Sequence, residues 1–341
     1  MSNFFQLPVK FSAMFLCFSM LNGCQQQPEP QPAPEFSNNK TVQKEAVDLS
    51  LLCKKLEKNM LEIDDQRTTF ALEQINQDLK VCLPLLKADE QKKLLRLSNQ
   101  MYRNFLHVER TAQQQMAFEQ FAFDMAQHPT IQQNHYEQLT ARDQYLLKHK
   151  GQAYVELFDA GEGQLRYRRS PEYLAKIFAP YMEESEQVFI EKLAEQNAQP
   201  ALLQQSLAIE PQEIATRAIF WEDYLKQYPD SPYKKDAQQL LYQYSQLLFI
   251  GSAHSPVSND FSDRLSIQAS SLEEIERLAQ LKNSKLADQA RLFLKLLDQN
   301  TAASNQRSEA QLLNLIGVRN PDPHYKKDCF SDAICVNQSS T

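Results

Sequence analysis

Few side chains here have the types and spacing that could do chemistry, and each carries a plainer structural reading beside the chemical one. Trp221-Glu222 sets the single tryptophan next to a carboxylate. In a glycan-cleaving site that pair would supply a sugar platform and a general acid. On a helix, the same Trp falls on an apolar stripe. The loop Gly251-Ser-Ala-His254-Ser-Pro-Val-Ser-Asn-Asp260 gathers Ser, His and Asp, yet a nucleophilic triad needs closeness in space rather than in sequence. Tyr167-Arg168-Arg169, opposite Glu156, presents planar forks for an anionic or carboxylate ligand, or else a salt-bridged hairpin face. His128 and His135 flank Pro129 without a rigid ligand geometry. There is no G-x-S-x-G, no H-E-x-x-H, no phosphate loop and no glycine-rich nucleotide fingerprint. We therefore expect no metal and no cofactor, and Glu222 or His254 as acid or base only if the protein is an enzyme.

The cysteines carry more. Cys17 lies in the apolar run Phe11 to Leu21, behind Lys10. That run falls short of the about 20 residues a membrane span needs and has the form of a secretory signal. It ends in Leu21-Asn22-Gly23-Cys24, which resembles the bacterial lipobox. The resemblance implies that residues 1–23 are removed and that Cys24 becomes diacylated and N-acylated, anchoring the chain to a membrane through several acyl chains. Gln25, not Asp, follows Cys24; by resemblance to Gram-negative lipoproteins this implies the outer membrane, on its periplasmic face. Residues 24–40 then form a Gln/Pro-rich tether that favours extended polyproline II and cannot fold. About fifteen such residues at roughly 3 Å each would hold a folded body up to about 45 Å from the membrane.

Cys53, Cys82, Cys329 and Cys335 remain, an even number that in an exported chain suggests disulfides. Cys53 and Cys82 lie equally far from Arg67-Thr68, so an antiparallel helical hairpin would bring them face to face. Cys329 and Cys335 would then close a small loop. A four-thiolate metal site lacks any C-x-x-C spacing.

The elements that must position these groups are mainly α. Glycine is scarce, with six in 341 residues, and helix formers dominate. The net charge is −7, one unit more negative without Lys10, which disfavours nucleic acid as a partner. Residues 41–150 read as an N-terminal helical bundle interrupted at Pro84. Within it Leu94, Leu97, Met101, Phe105, Val108, Ala112 and Met116 predict one long amphipathic helix. Thr140-Ala-Arg-Asp143 offers a capping box. Residues 151–200 hold a β-hairpin near 152–169, then a helix opened by Ser170-Pro171. Residues 301–341 form a tail with the small disulfide loop.

Residues 201–300 predict antiparallel helical hairpins. Ile214, Ala218, Trp221, Leu225 and Tyr228 step at helical intervals up to Pro229-Asp-Ser-Pro232; Tyr233, Ala237, Leu240, Tyr244 and Leu247 do so after it, with Ser231 as cap. The design recurs 53 residues on, with Ala290 falling on Ala237, Phe293 on Leu240 and Leu297 on Tyr244. Ser270-Ser-Leu-Glu273 is the cap expected there. The Tyr-Pro-Asp-Ser-Pro-Tyr…Ala element resembles the helix–turn–helix of tetratricopeptide-type repeats. It is similar to those of periplasmic lipoproteins such as the helical one of the outer-membrane barrel assembly machinery. The period departs from the 34 residues of that family. The resemblance implies a groove of stacked helices. The expected function is thus a non-enzymatic, lipid-anchored envelope protein that binds another envelope protein or peptide. The expected surface joins the concave side of Ile214–Leu297 to the hairpin residues Glu156, Tyr167, Arg168 and Arg169. The alternative is an enzyme, or a regulator of one, acting on peptidoglycan.

Overall fold

The computed structural model describes residues 49–127, 135–159, 165–203, 205–299 and 308–325. The stretches expected to be a signal segment and a tether, with Cys24 between them, the turn expected between the strands of the β-hairpin, His128 and the Cys329/Cys335 pair lie outside the described residues. What is described is mainly α, with a few small antiparallel strand pairs.

Helices α1 (Leu49–Leu61) and α2 (Thr69–Cys82) fold back on one another and bury Leu56, Met60, Leu72 and Leu79 between them and their neighbours. A disulfide joins Cys53 to Cys82, with Cα atoms 5.5 Å apart. Pro84 sits in a single 3₁₀ turn, Leu83–Leu85, and α3 (Ala88–Phe105) follows. The long helix expected across Leu94–Met116 is two. α3 stops at Phe105, and α4 (Ala112–Gln127) begins at a fresh cap. There Thr111 Oγ1 accepts from the Gln114 N–H at 3.3 Å, and Gln114 Oε1 accepts from the Thr111 N–H at 3.0 Å. This reciprocal pair satisfies two N–H groups that a helix start leaves without intrahelical partners. The apolar period runs through the break, but Met116 ends up 62% exposed. Arg142 ties the end of α3 to the turn between α1 and α2: its guanidinium donates to the carbonyl of Arg67 at 2.9 Å and to that of Phe105.

Thr140 caps α5 (Ala141–Lys148) by accepting from the Asp143 N–H. Strands β1 (Val155–Asp159) and β2 (Leu165–Arg169) pair with Glu156 opposite Arg168 and Leu157 opposite Tyr167. Just before them, Ala153 and Tyr154 adopt left-handed backbone (φ 45° and 61°). Non-glycine residues there cost on the order of 1 kcal/mol each, so the segment must be held. Three bonds hold it: the Gly151 N–H to the Val155 carbonyl (2.8 Å), the Ser170 N–H to the Tyr154 carbonyl (2.7 Å), and the Tyr102 hydroxyl to the Ala153 carbonyl (2.8 Å). Pro171, rather than Ser170, is the cap of α6 (Glu172–Ile177).

Helix α7 (Glu184–Ala198), grouped with the hairpin by sequence, shares its core with the C-terminal helices. Phe189 stacks on Tyr233 at 4.3 Å and lies 5.3 Å from Trp221. The short pair β3 (Leu202–Leu203) and β4 (Ser206–Leu207) leads to the antiparallel helices α8 (Pro211–Gln227) and α9 (Lys234–Phe249). Ala215, Ala218 and Ala237 are fully buried where these helices pack, beside Trp221 and Tyr244. α9 starts at Lys234, later than Pro232 suggests; the Ser231 hydroxyl accepts instead from the Tyr233 N–H at 3.1 Å. Strands β5 (Gly251–Ser252) and β6 (Ser255–Pro256) then turn the chain. Gly251 is needed there, because a Cβ at its position would lie 2.2 Å from the Ser255 carbonyl oxygen. The second pair is α10 (Ala269–Ala279) and α11 (Lys285–Asp298). α10 begins ahead of Ser270, so that serine lies inside the first turn. Ala290, Phe293 and Leu297 are buried as their counterparts Ala237, Leu240 and Tyr244 are. Helix α12 (Glu309–Leu315) is the last described helix, and its Leu312 and the following Ile316 are buried in the same core.

The disulfide closes a loop of separation 29. Its loss should cost about 3–4 kcal/mol by the chain-entropy relation. Denaturant unfolding with and without a thiol reductant, and of Cys53→Ser/Cys82→Ser, checks this; equal midpoints would mean that the bridge contributes nothing.

Candidate functional site

Residues that alternate along a strand point to opposite faces, and that alternation disperses the expected arginine site. Tyr167 and Arg169 turn inward. The Tyr167 hydroxyl donates to the Asp143 carboxylate at 3.1 Å, and burial first, then Asp143, push its phenol well above the ordinary value. Asp143 is fully buried and takes a two-point grip from Arg110 (Nη2 2.6 Å, Nε 2.9 Å) and a bond from the Thr140 hydroxyl at 2.9 Å. Arg110 lies over the Phe118 ring at 3.9 Å. This network was not visible in sequence. Asp143 was legible only as a capping residue, and Arg110 stands thirty-three positions away with no shared motif.

Arg169 is 1% exposed, between the Tyr102 and Tyr173 rings, with Nη1 3.4 Å from Ser98 Oγ. It therefore cannot meet a partner, which corrects the expectation that Arg168 and Arg169 act together. Arg168 is on the other face. Its Nε donates to Glu156 at 3.1 Å and its guanidinium lies over Phe158 at 4.0 Å. Burial lowers its pKa, an effect that Glu156 opposes. Arg168 and Glu156 line an open cleft of about 640 Å³ between α2, the hairpin and α6. Arg169→Ala should destabilise the fold by on the order of 2 kcal/mol or more, through lost packing and aromatic contact. Arg168→Ala should cost about 1 kcal/mol or less. Thermal melts of the two variants compare them, and equal losses would contradict the burial difference.

The catalytic alternative fares differently at each residue. Trp221 is fully buried, and its indole N–H donates to Gln196 Oε1 at 3.0 Å. Glu222 is 5% exposed and uses both carboxylate oxygens on the start of α11. One accepts from the Ser284 hydroxyl at 2.6 Å and the other from the Lys285 N–H at 2.5 Å, with Lys226 Nζ 3.6 Å away. Ser284 meanwhile accepts from the Ala287 N–H at 3.1 Å as the cap. Glu222 is thereby a second cap, joining α8 to the next helical pair. His254 is exposed at the tip of β5–β6. In the same loop, Ser258 Oγ accepts from the Phe261 N–H at 3.0 Å and the Asp260 carboxylate accepts from the Ser262 N–H at 3.0 Å, so both shape the loop. Glu222→Ala should cost about 1–2 kcal/mol, as removal of a buried cap does. Chemical denaturation measures it. A variant of unchanged stability would free Glu222 for a chemical role.

The concave feature that remains runs along α9. A cavity of about 890 Å³ is bounded by α9, the β5–β6 turn, Leu202 of β3 and α12. A second, of about 390 Å³, lies among α8, α9 and α11. They adjoin, since Tyr242, Val318 and Arg319 line both. The larger is walled by side-chain amides: Gln239, Gln243 and Gln246 on successive turns of α9, and Asn314 and Asn320 opposite. Among the described residues its only charged lining groups are Glu309 and Arg319. Of its lining residues, Gln239 and Ser252 have a buried oxygen, Oε1 and Oγ, without a hydrogen-bond partner among the described residues. Leaving such groups unmet costs about 1–3 kcal/mol each, and ligand sites are where proteins tolerate that. The segment after α12 lies over this region, held by the Gln289 amide on the Gly317 carbonyl (3.2 Å) and by the Tyr325 hydroxyl on Asp236 (2.6 Å). The sequence does not disclose this chemistry, because the amides come from three separate elements, two of them beyond the Ile214–Leu297 helices.

Among the described residues no cluster of three or more His, Cys, Asp or Glu could hold a metal ion, and no helix is long and apolar enough to cross a membrane. Compared with models of known protein families, with characterised proteins and with solved structures, the chain matches none.

Proposed function

We propose that this is a lipid-anchored protein of the bacterial cell envelope, tethered through Cys24 to the outer membrane and facing the periplasm. It acts without catalysis, by holding another envelope protein or peptide in the groove along α9. The lipobox-like Leu21-Asn22-Gly23-Cys24 and the Gln/Pro stretch behind it support the anchor. The tetratricopeptide-like pairing of α8/α9 with α10/α11 supports a groove, which such stacked helices present to extended ligands. The single observation that carries the reading is the amide-walled cavity itself, whose lining residues Gln239 and Ser252 have a buried oxygen, Oε1 and Oγ, without a hydrogen-bond partner among the described residues. Amides both donate and accept, as a peptide backbone does, and Tyr242 adds an aromatic surface beside them.

Crosslinked co-purification from living cells tests this with three chains: the full-length protein, Cys24→Ala, and Tyr242→Ala/Gln243→Ala. We expect one protein recovered in stoichiometric amount with the first, lost with the second and reduced with the third. Recovery of glycan fragments alone, or equal recovery with the groove variant, would overturn the reading.

A further inference from the structure

The cleft that Arg168 lines shares no lining residue with the groove along α9, and one of its lining residues carries a buried polar atom with no hydrogen-bond partner among the described residues. Asn76 of α2 is 4% exposed and forms part of the cleft wall. Its Nδ2 donates to the Tyr102 hydroxyl at 3.1 Å, and that hydroxyl donates to the Ala153 carbonyl at 2.8 Å. This chain of donors fixes the orientation of the amide: turned over, Oδ1 would face a hydroxyl whose proton is already given to Ala153. Oδ1 is left buried and accepts no hydrogen bond from any of the described residues. What suits that atom is an N–H.

The same cleft offers the opposite chemistry nearby. The Arg168 side chain is 13% exposed, and only its Nε is engaged, by Glu156. Stacking over Phe158 holds the fork in place. A partly desolvated guanidinium with free fork nitrogens is suited to a carboxylate. Lys80, exposed on α2 one turn beyond Asn76, adds positive charge to the rim, while Glu73 lies one turn before it. Lys176, also on the rim, is already joined to Glu172. The left-handed Ala153–Tyr154 segment, pinned as described above, forms the side between helix and hairpin.

We propose that this cleft binds the carboxylate end of a peptide or of a free amino acid. The α-carboxylate sits on Arg168 in the field of Lys80, and the adjacent N–H donates to Asn76 Oδ1. A free amino acid would in addition place its ammonium near Glu73. At about 640 Å³ the space is of the size that small-ligand sites have. The site is independent of the groove along α9, so either can fail without the other.

Isothermal titration calorimetry on the full-length protein tests it with four probes: trialanine, its C-terminal amide, N-acetyl-trialanine and L-alanine. We expect trialanine and its N-acetyl form to bind at least about tenfold more tightly than the amide, a difference of about 1.4 kcal/mol. Binding of L-alanine as tight as that of trialanine would identify the occupant as a free amino acid; binding of the peptides alone would identify a peptide terminus. Arg168→Gln should abolish the preference for the carboxylate, and Arg168→Lys should restore it only in part. Asn76→Ala should weaken every carboxylate probe, and Lys80→Gln, at an exposed position, provides a variant whose folding is not in question. Equal affinity for trialanine and its amide, no binding below about 10 mM, or unchanged binding by Arg168→Gln would each overturn the proposal.

Discussion

Two oxygens of one buried carboxylate hold the second helical pair against the first. Glu222 projects from α8 and meets the Ser284 hydroxyl and the Lys285 N–H where α11 begins. The start of a helix carries free N–H groups and the positive end of the macrodipole, so a carboxylate is well matched to it. A buried charge unmatched in this way would be strongly destabilising, which makes the contact selective for one relative placement of the helices. The cavity among α8, α9 and α11 takes its shape from that placement, and Glu222 itself lines it. Small residues do the complementary work. Ala215, Ala218 and Ala237 let α8 and α9 approach closely, and Ala290 fills the equivalent place in α11.

How much of this could be read in the sequence depends on how local the cause was. Apolar steps of three and four, and proline-bearing turns, gave the paired helices because both signals act within a few residues. The pairing of Cys53 with Cys82 was legible for the same reason, since a symmetric hairpin leaves little choice. The stripe from Leu94 to Met116 misled because helical periodicity survives a short break, while the cap of Thr111 and Gln114 that marks the break is only two side chains wide. The arginine pair misled for a different reason. Adjacent strand residues point apart, so Arg168 and Arg169 had to part company, and the inward one sits between Tyr102 of the distant α3 and Tyr173 of the following α6.

The polar interior of the N-terminal half follows a common logic. Arg110, Asp143, Thr140 and Tyr167 satisfy one another where α5 meets the β-hairpin. Arg169 lies between two aromatic faces. Both arrangements fix the hairpin against helices, as it needs, because two strands alone are marginal in water. The amides along α9 are the contrast: they lie on one face of a well-packed helix, and Gln239 Oε1 among them has no hydrogen-bond partner among the described residues.

The bridge between Cys53 and Cys82 also has a mechanical meaning. Any pull on the chain ahead of Leu49 enters α1 only four residues before Cys53. The covalent link passes that load directly to Cys82 and on to the turn before α3, so the α1–α2 loop carries no tension. An attachment at the N-terminal end would thus strain the body at its most cross-linked point, and the groove at the other end of the chain would keep its shape under load.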